Sequence, residues 1–381
     1  MKKAAAYLLT AVMIFLFCAC SNDSAKPDSS ATEAESTTVA DTTVPDESAI
    51  DEIIENMTME EKVGQMFFVR CPDVGADSMI ESYHPGGFVL FGRDFEDKTA
   101  DEVKSDISSY QSASSTPMLI AVDEEGGTVV RVSDNPNLRS EAFPSPKDVY
   151  LSGGWDAVKQ TETEKAELLL SLGINVNLAP VCDVTGNEDS FMIDRSFSSD
   201  PQEVCTFVTE TVTIDKEKGL GVSLKHFPGY GDNTDTHEDM SYDDKPYSDF
   251  QTVDFLPFKA GIEAGAGCVM VAHIIMACTD DTQPASLSEK VHDILRDELG
   301  FSGVIMTDDL SMSAITKYTG TDEAAVAAAK CGNDMLCCSD IETQYPALLN
   351  AVKSGDIPEE QINASVKRIL KWKQELGLLN S

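Results

Sequence analysis

The sequence predicts a (β/α)8 barrel, and three observations lead there. Short, nearly continuous apolar runs alternate with helical patterns, the mark of a parallel sheet covered by helices. Eight such units fill about 330 residues, which suits a closed barrel. Polar residues of catalytic type follow the C-terminal ends of the runs, where a barrel gathers its active site. An open doubly wound sheet is the alternative architecture.

The chain opens with Lys2 and Lys3, then an apolar run from Ala4 to Ala19. That is the pattern of an export signal rather than a spanning helix of the mature protein. The run closes on Phe17-Cys18-Ala19-Cys20-Ser21, which resembles a bacterial lipoprotein signal with Cys20 lipidated, although Phe17 stands where Leu is usual. Residues 21–47 are mostly Ser, Thr, Ala, Asp and Glu without an aromatic residue. Such a segment cannot bury enough surface to fold and is expected to be a disordered tether. Its typical span is about 30 Å. The expected organisation is a signal over 1–20, a linker over 21–47 and a single barrel domain over 48–381. The expected location is extracytoplasmic, at the cell membrane through the lipid anchor only.

The folded part begins with Ile50, Ile53, Ile54 and Met57 at helical spacing. Thr58 to Glu61 is a Thr-x-x-Glu capping box that opens a second short helix. Strands are expected at 66–70, 87–91, 118–123, 175–178, 221–225, 268–273, 303–307 and 334–338. Helical patterns lie between them at 102–112, 155–172, 201–218, 255–264, 289–299 and 323–330. Two more, at 341–354 and 358–376, follow the last strand.

The formal charge of −38 argues against nucleic acid or anionic lipid headgroups as partners. The ten Cys have no disulfide-framework or zinc-type spacing, and most are read as free, buried thiols.

Leu224 to Asp239 carries most of the chemistry. An apolar strand stops at Lys225-His226, and Pro228, Gly229 and Gly231 break it into a loop. Asp235 and His237 follow with one residue between them. In an extended segment they point the same way, so Asp235 could hold His237 in one tautomer and raise its basicity. Other strand ends supply Asp123, Glu124-Glu125-Gly126-Gly127 and Arg131, then Pro180, Asp183 and Asp194-Arg195-Ser196, then His273 and Asp308-Asp309. Three of the five His (His226, His237, His273) fall in these positions.

These groups suit cleavage of a sugar acetal, which needs a proton for the departing oxygen and negative charge facing the anomeric carbon. Asp308, rigidly placed after an apolar strand, would supply the charge. His237 would supply the proton, near neutral pH. Asp123, Arg131, Arg195, Lys225 and His226 suit hydroxyl recognition. Arg131 and Arg195 could equally be structural ion pairs at the rim.

From Met57 to Met312 the chain resembles glycoside hydrolase family 3, in its single-domain β-N-acetylglucosaminidase (β-N-acetylhexosaminidase) branch. The resemblance rests on Met-Thr-Met-Glu-Glu-Lys-Val-Gly-Gln-Met (57–66), Asp-Glu-Glu-Gly-Gly (123–127) with Arg131, and Leu-Ala-Pro-Val-Cys-Asp-Val (178–184). Asp194-Arg195-Ser196-Phe197, Lys-His-Phe-Pro-Gly-Tyr-Gly-Asp (225–232) with Asp235-Thr236-His237, Val-Met-Val-Ala-His (269–273) and Gly-Val-Ile-Met-Thr-Asp-Asp-Leu-Ser-Met (303–312) complete it. It implies a (β/α)8 barrel that removes terminal β-linked N-acetylglucosamine with retention. Cell-wall-derived or chitin-type saccharides are the expected substrates, wall fragments because the tether places the enzyme at a membrane surface, and no cofactor or metal is expected. It implies Asp308 as nucleophile, His237 as acid/base and Asp235 as its orienting partner. Asp123, Arg131, Arg195, Lys225, His226 and His273 match sugar-binding positions. Tyr230 stands where the branch usually has His, and Thr236 where Ser is common. Neither change removes a catalytic group, but Tyr230 bears on loop packing and the leaving-group side. The chain ends soon after the eighth unit, so no second domain is expected.

Three rivals share these residues. A β-glycoside phosphorylase would use the same scaffold with phosphate as acceptor, since a His repels an incoming anion less than a carboxylate does. A metal-dependent hydrolase built on Lys225, His226, His273 and Asp308 normally has a His-x-His after an early strand, which this chain lacks. A non-catalytic sugar-binding lipoprotein would need no nucleophile.

Overall fold

The structure is a computed structural model, and it describes residues 47–233, 235–236 and 240–379. The expectations for the export signal, Cys20, nearly all of the linker, and His237 lie outside those residues. An 8-stranded sheet contains β1 (Phe67–Arg70), β2 (Gly87–Leu90), β3 (Leu119–Val122) and β4 (Val176–Asn177). It continues through β5 (Gly221–Phe227), β6 (Cys268–Val271), β7 (Val304–Thr307) and β8 (Leu336–Cys338). Neighbours follow chain order and pair in parallel, and β8 pairs with β1.

Closure between β7 and β8 is a single parallel bridge, Met306 to Met335. Thr307 N–H donates to the Met335 carbonyl at 3.1 Å, and Asp334 N–H to the Ile305 carbonyl at 2.8 Å. Asp334 is fully buried beside this join. It accepts from Ile305 N–H at 2.9 Å, from Arg296 at 2.5 Å and from Arg368 at 2.9 Å. The sheet is a closed ring, so the open-sheet alternative falls.

All eight expected strands form. Their residues are apolar because both faces are covered, by helices outside and by packed side chains within. β4 is two residues shorter than expected, because side chains take over part of its pairing. Asn175 Oδ1 accepts from Ile120 N–H at 2.8 Å, and Asn177 Oδ1 from Glu124 N–H at 3.0 Å. Each amide then donates back to the β3 side, to the Met118 and Glu124 carbonyls.

Helices Pro201–Lys218 and Phe255–Ala264 stand where expected. The capping box at Thr58 and Glu61 is present, with a second at Thr99 and Glu102. Pro146–Leu172 starts earlier than the pattern beginning at residue 155 suggested. Ser145 caps it, Pro146 sits in its first turn, and Gly154 kinks it at φ 66°. That φ favours glycine, and the kink hides the first segment from a periodicity search. The pattern over 289–299 splits into α-helix Glu289–Asp293 and a π-turn Ile294–Glu298. A two-stranded parallel pair, Ser241–Asp243 with Ile274–Met276, was not expected; three-residue strands leave too little pattern to read.

Among the described residues, eight cysteines are free thiols, and only Cys278 is exposed. No described helix is long and apolar enough to cross a membrane.

Candidate active site

The ends of β3 and β5 meet in a buried ionic net. Lys225 Nζ lies 2.6 Å from Asp123 Oδ1 and 2.6 Å from Glu125 Oε1. Arg195, from the loop after β4, clasps Glu125 with two donors: Nη2 at 2.8 Å from Oε1 and Nε at 3.0 Å from Oε2. The same Nη2 lies 3.3 Å from His226 Nε2, and His226 Nδ1 lies 2.7 Å from Asp183 Oδ2. Those partners assign the proton to Nδ1 and leave Nε2 as acceptor. The Lys225–His226 peptide is cis. Asp123, Arg195, Lys225 and His226 are thus brought together through Glu125 and Asp183.

Charge is fixed in this net. Burial alone would raise the Glu125 carboxyl, but Lys225 and Arg195 hold it well below the usual carboxylate range. Burial opposes the charge on Lys225, yet Asp123 and Glu125 raise its pKa above the usual lysine value. Burial likewise opposes the Arg195 charge, and Glu125 more than restores it. Lys225, Arg195 and Glu125 therefore exchange no proton near neutrality. What they offer is a rigid wall of charged donors and acceptors, suited to gripping hydroxyls.

Asp308 follows β7 directly. Its N–H donates to the Val271 carbonyl at 3.0 Å, and its Oδ1 accepts from Asp309 N–H at 2.8 Å. His273 is fully buried behind this turn, with Nδ1 2.7 Å from Ser286 Oγ and Nε2 3.0 Å from the Asp309 carbonyl. Both ring nitrogens are engaged within the protein. His273 therefore braces the Asp308–Asp309 turn.

Arg131 stands apart; among the described residues no hydrogen bond joins it to the Lys225–Glu125 net. Glu124, fully buried, shapes its loop by accepting from Arg131 N–H at 2.8 Å and Val132 N–H at 2.7 Å. The Arg131 guanidinium lies 5.8 Å from the Phe91 ring centre, and the Arg70 guanidinium 4.7 Å from the same ring. The buried Arg131 Nε has no hydrogen-bond partner.

The loop after β5 leaves the net at Gly229. This residue has φ 121°, and a Cβ there would come within 2.8 Å of Asp254 Oδ1, so both backbone angle and space require glycine. Tyr230 N–H then donates to Asp183 Oδ1 at 2.6 Å. Thr185 Oγ1 donates to Asp232 at 2.6 Å, and Asn233 donates to Asp243 at 2.6 Å. Lys245 ties the outgoing segment down, with Nζ 2.9 Å from Asp254 and 3.1 Å from Asp243. Asp235 is half-buried further along.

Glu125 and Asp183 stand at strand ends in the sequence but carry no assigned role there, and Asp254 bears no sequence signal. The spacing of Asp123 and Glu125, two apart in Asp-Glu-Glu-Gly-Gly, is the signal that points to Glu125. Among the described residues, no cluster of three or more His, Cys, Asp or Glu is placed to hold a metal ion.

Residues 58–372 match the family described as glycosyl hydrolase family 3 N terminal domain. The chain is 34% identical over 270 residues to a β-hexosaminidase of Nitrosomonas eutropha, covering 68% of this chain and 76% of that one. It superposes on a glycoside hydrolase family 3 β-N-acetylglucosaminidase from Paenibacillus sp. with TM-score 0.80 and 31% identity, covering 85% of this chain and 64% of that one. It superposes on M. tuberculosis LpqI with TM-score 0.77 and 27% identity, covering 85% of this chain and 96% of that one. The matched span takes in the ionic net, the loop after β5 and the Asp308 turn alike, and the chain belongs to glycosyl hydrolase family 3.

Proposed function

We propose that this glycoside hydrolase is a retaining exo-β-N-acetylglucosaminidase, with Asp308 as nucleophile, His237 as acid/base and Asp235 orienting His237. The observation that carries the reading is the meeting of two unlike surfaces at the C-terminal end of one barrel. The Asp123–Lys225–Glu125–Arg195–His226 net offers donors and acceptors in fixed positions, with Lys225, Arg195 and Glu125 held in their charged forms. Opposite it in chain order, after β7, stands a carboxylate oriented by its neighbour's backbone N–H. The net holds the hydroxyls of a terminal sugar, with Arg131 at its margin.

In the first step Asp308 attacks the anomeric carbon while His237 protonates the leaving oxygen. The C–O bond to the leaving group breaks as the bond to Asp308 forms. In the second step the neutral imidazole takes a proton from water, and water displaces the carboxylate. A retained configuration follows from two displacements. The names of the relatives support N-acetylglucosamine as the sugar removed, from cell-wall-derived or chitin-type saccharides. Lipidation at Cys20 would keep the enzyme at the outer face of the cell membrane.

The test is turnover of aryl β-N-acetylglucosaminide against aryl β-glucoside, with Asp308→Ala beside the wild type. The expected result is preference for the N-acetylglucosaminide and a loss on the order of ten-thousand-fold in Asp308→Ala. Equal turnover of both sugars would remove the assigned specificity, and an active Asp308→Ala would remove the nucleophile. Sugar 1-phosphate among the products in phosphate buffer would make phosphate, not water, the acceptor. Cys20→Ser is expected to move the protein from the membrane fraction to the soluble one.

A further inference from the structure

The two places where this chain departs from its branch's usual residues touch each other. The Tyr230 hydroxyl lies 2.5 Å from Thr236 Oγ1. Tyr230 is only 2% exposed and Thr236 not at all, so water cannot replace either partner. Tyr230 is itself a fixed post. Its N–H donates to Asp183, and its ring stands edge-on to His226 and to Phe191, with centres 5.0 Å apart in both pairs. Val181, Met192, Ala272 and Ile274 pack around it. Burial, and then the charge of Asp308, raises the phenol's pKa well above the ordinary tyrosine value, so it is present as a neutral hydroxyl.

Thr236 is the residue between Asp235 and His237 in the chain. We infer that Tyr230 is a positioning residue: its hydroxyl latches Thr236, the residue that precedes His237 in the chain, and so ties the segment that leads to the proposed acid/base to the post beside Asp183 and His226. The inference rests on the acid/base role proposed above for His237. A latched arm delivers the proton in a reproducible place, so its loss is felt where proton delivery limits the rate. It is felt little where the leaving group departs unaided. Because the post also touches Asp183 and His226, the latch references the arm to the sugar-binding net itself.

The experiment compares Tyr230→Phe, Thr236→Val, the double variant and Thr236→Ser on two aryl N-acetylglucosaminides, one with an activated leaving group and one with a poor one. The expected result is a loss of about tenfold in kcat/KM on the poor leaving group for each single variant, with little change on the activated one. The double variant should be no worse than either single one, because one interaction is removed once. Thr236→Ser, which keeps the hydroxyl, should stay near wild type. Equal losses on both substrates, or additive losses in the double variant, would overturn the latch. Hydrogen exchange of the backbone over 230–240, measured without substrate, separates this outcome from failure of the proposed function. Faster exchange in Tyr230→Phe is expected even if the wild type cleaves neither substrate, and unchanged exchange overturns the latch whatever the substrate.

Discussion

Two buried carboxylates flank the barrel mouth and behave oppositely. Glu125 is 5% exposed and Asp254 2%, so burial does not distinguish them. Glu125 is held by two cations, Lys225 and Arg195, and its pKa falls well below the usual range. Asp254 has one, Lys245, which it shares with Asp243, and burial pushes it up to about 6. The number of cations within reach decides whether burial wins. The consequence is a division of labour. Glu125 and its two cations keep their charge near neutrality, while Asp254, beside the loop after β5, titrates at about 6.

The sharpest way to break this contrast is Lys225→Met. It leaves Glu125 and Asp123 without the cation between them, and removing one partner of a buried pair costs about 3 to 5 kcal/mol. Denaturant unfolding should show that loss together with abolished turnover. Next comes His237→Ala, which removes the proposed acid/base. Loss of an acid/base should lower kcat on a poor leaving group by about a hundred- to ten-thousand-fold, with the unfolding midpoint nearly unchanged. Lys245→Met should cost less than Lys225→Met, about 1 to 3 kcal/mol, because Asp254 can take up a proton in place of the lost cation.

The smallest effect is the pH signature, and its sign differs between the two groups. Glu125 has a folded pKa below its unfolded value of about 4.3, so its stabilisation is present above that pH and is lost as pH falls. Asp254 has a folded pKa near 6 against an unfolded value of about 3.9. Between those values the folded chain binds more protons, so stability falls as pH rises from about 4 to 6 and then levels. Asp254→Asn removes this slope. The unfolding free energy of wild type minus that of Asp254→Asn should decline over the same interval and be flat above it.

The strands were legible because a buried parallel strand is apolar on both faces, which leaves a continuous run. Where a side chain does the work of the backbone, as at Asn175 and Asn177, the run gave the place of β4 but not its length. Gly154 hid the start of a helix for a similar reason: its left-handed backbone interrupts the period without ending the element. In the site, Lys225 and His226 could be chosen because cationic and imidazole side chains are few and stood at a strand end, Arg195 because it lay in the loop after β4, and Asp123 because it directly follows β3. Glu125 and Asp254 could not be singled out among 66 acidic residues. An acid becomes conspicuous only when cations from distant segments fold against it or fail to. Tyr230 and Thr236 showed as two separate oddities, and nothing linear tells that they meet.

The closure between β7 and β8 is the seam of this barrel, thinner than any other junction in the ring, and Asp308 stands at its lip. A hoop under load parts where it was joined. Asp334, riveted to Arg296, Arg368 and the Ile305 N–H, holds that seam with side-chain bonds where the backbone ladder supplies one bridge.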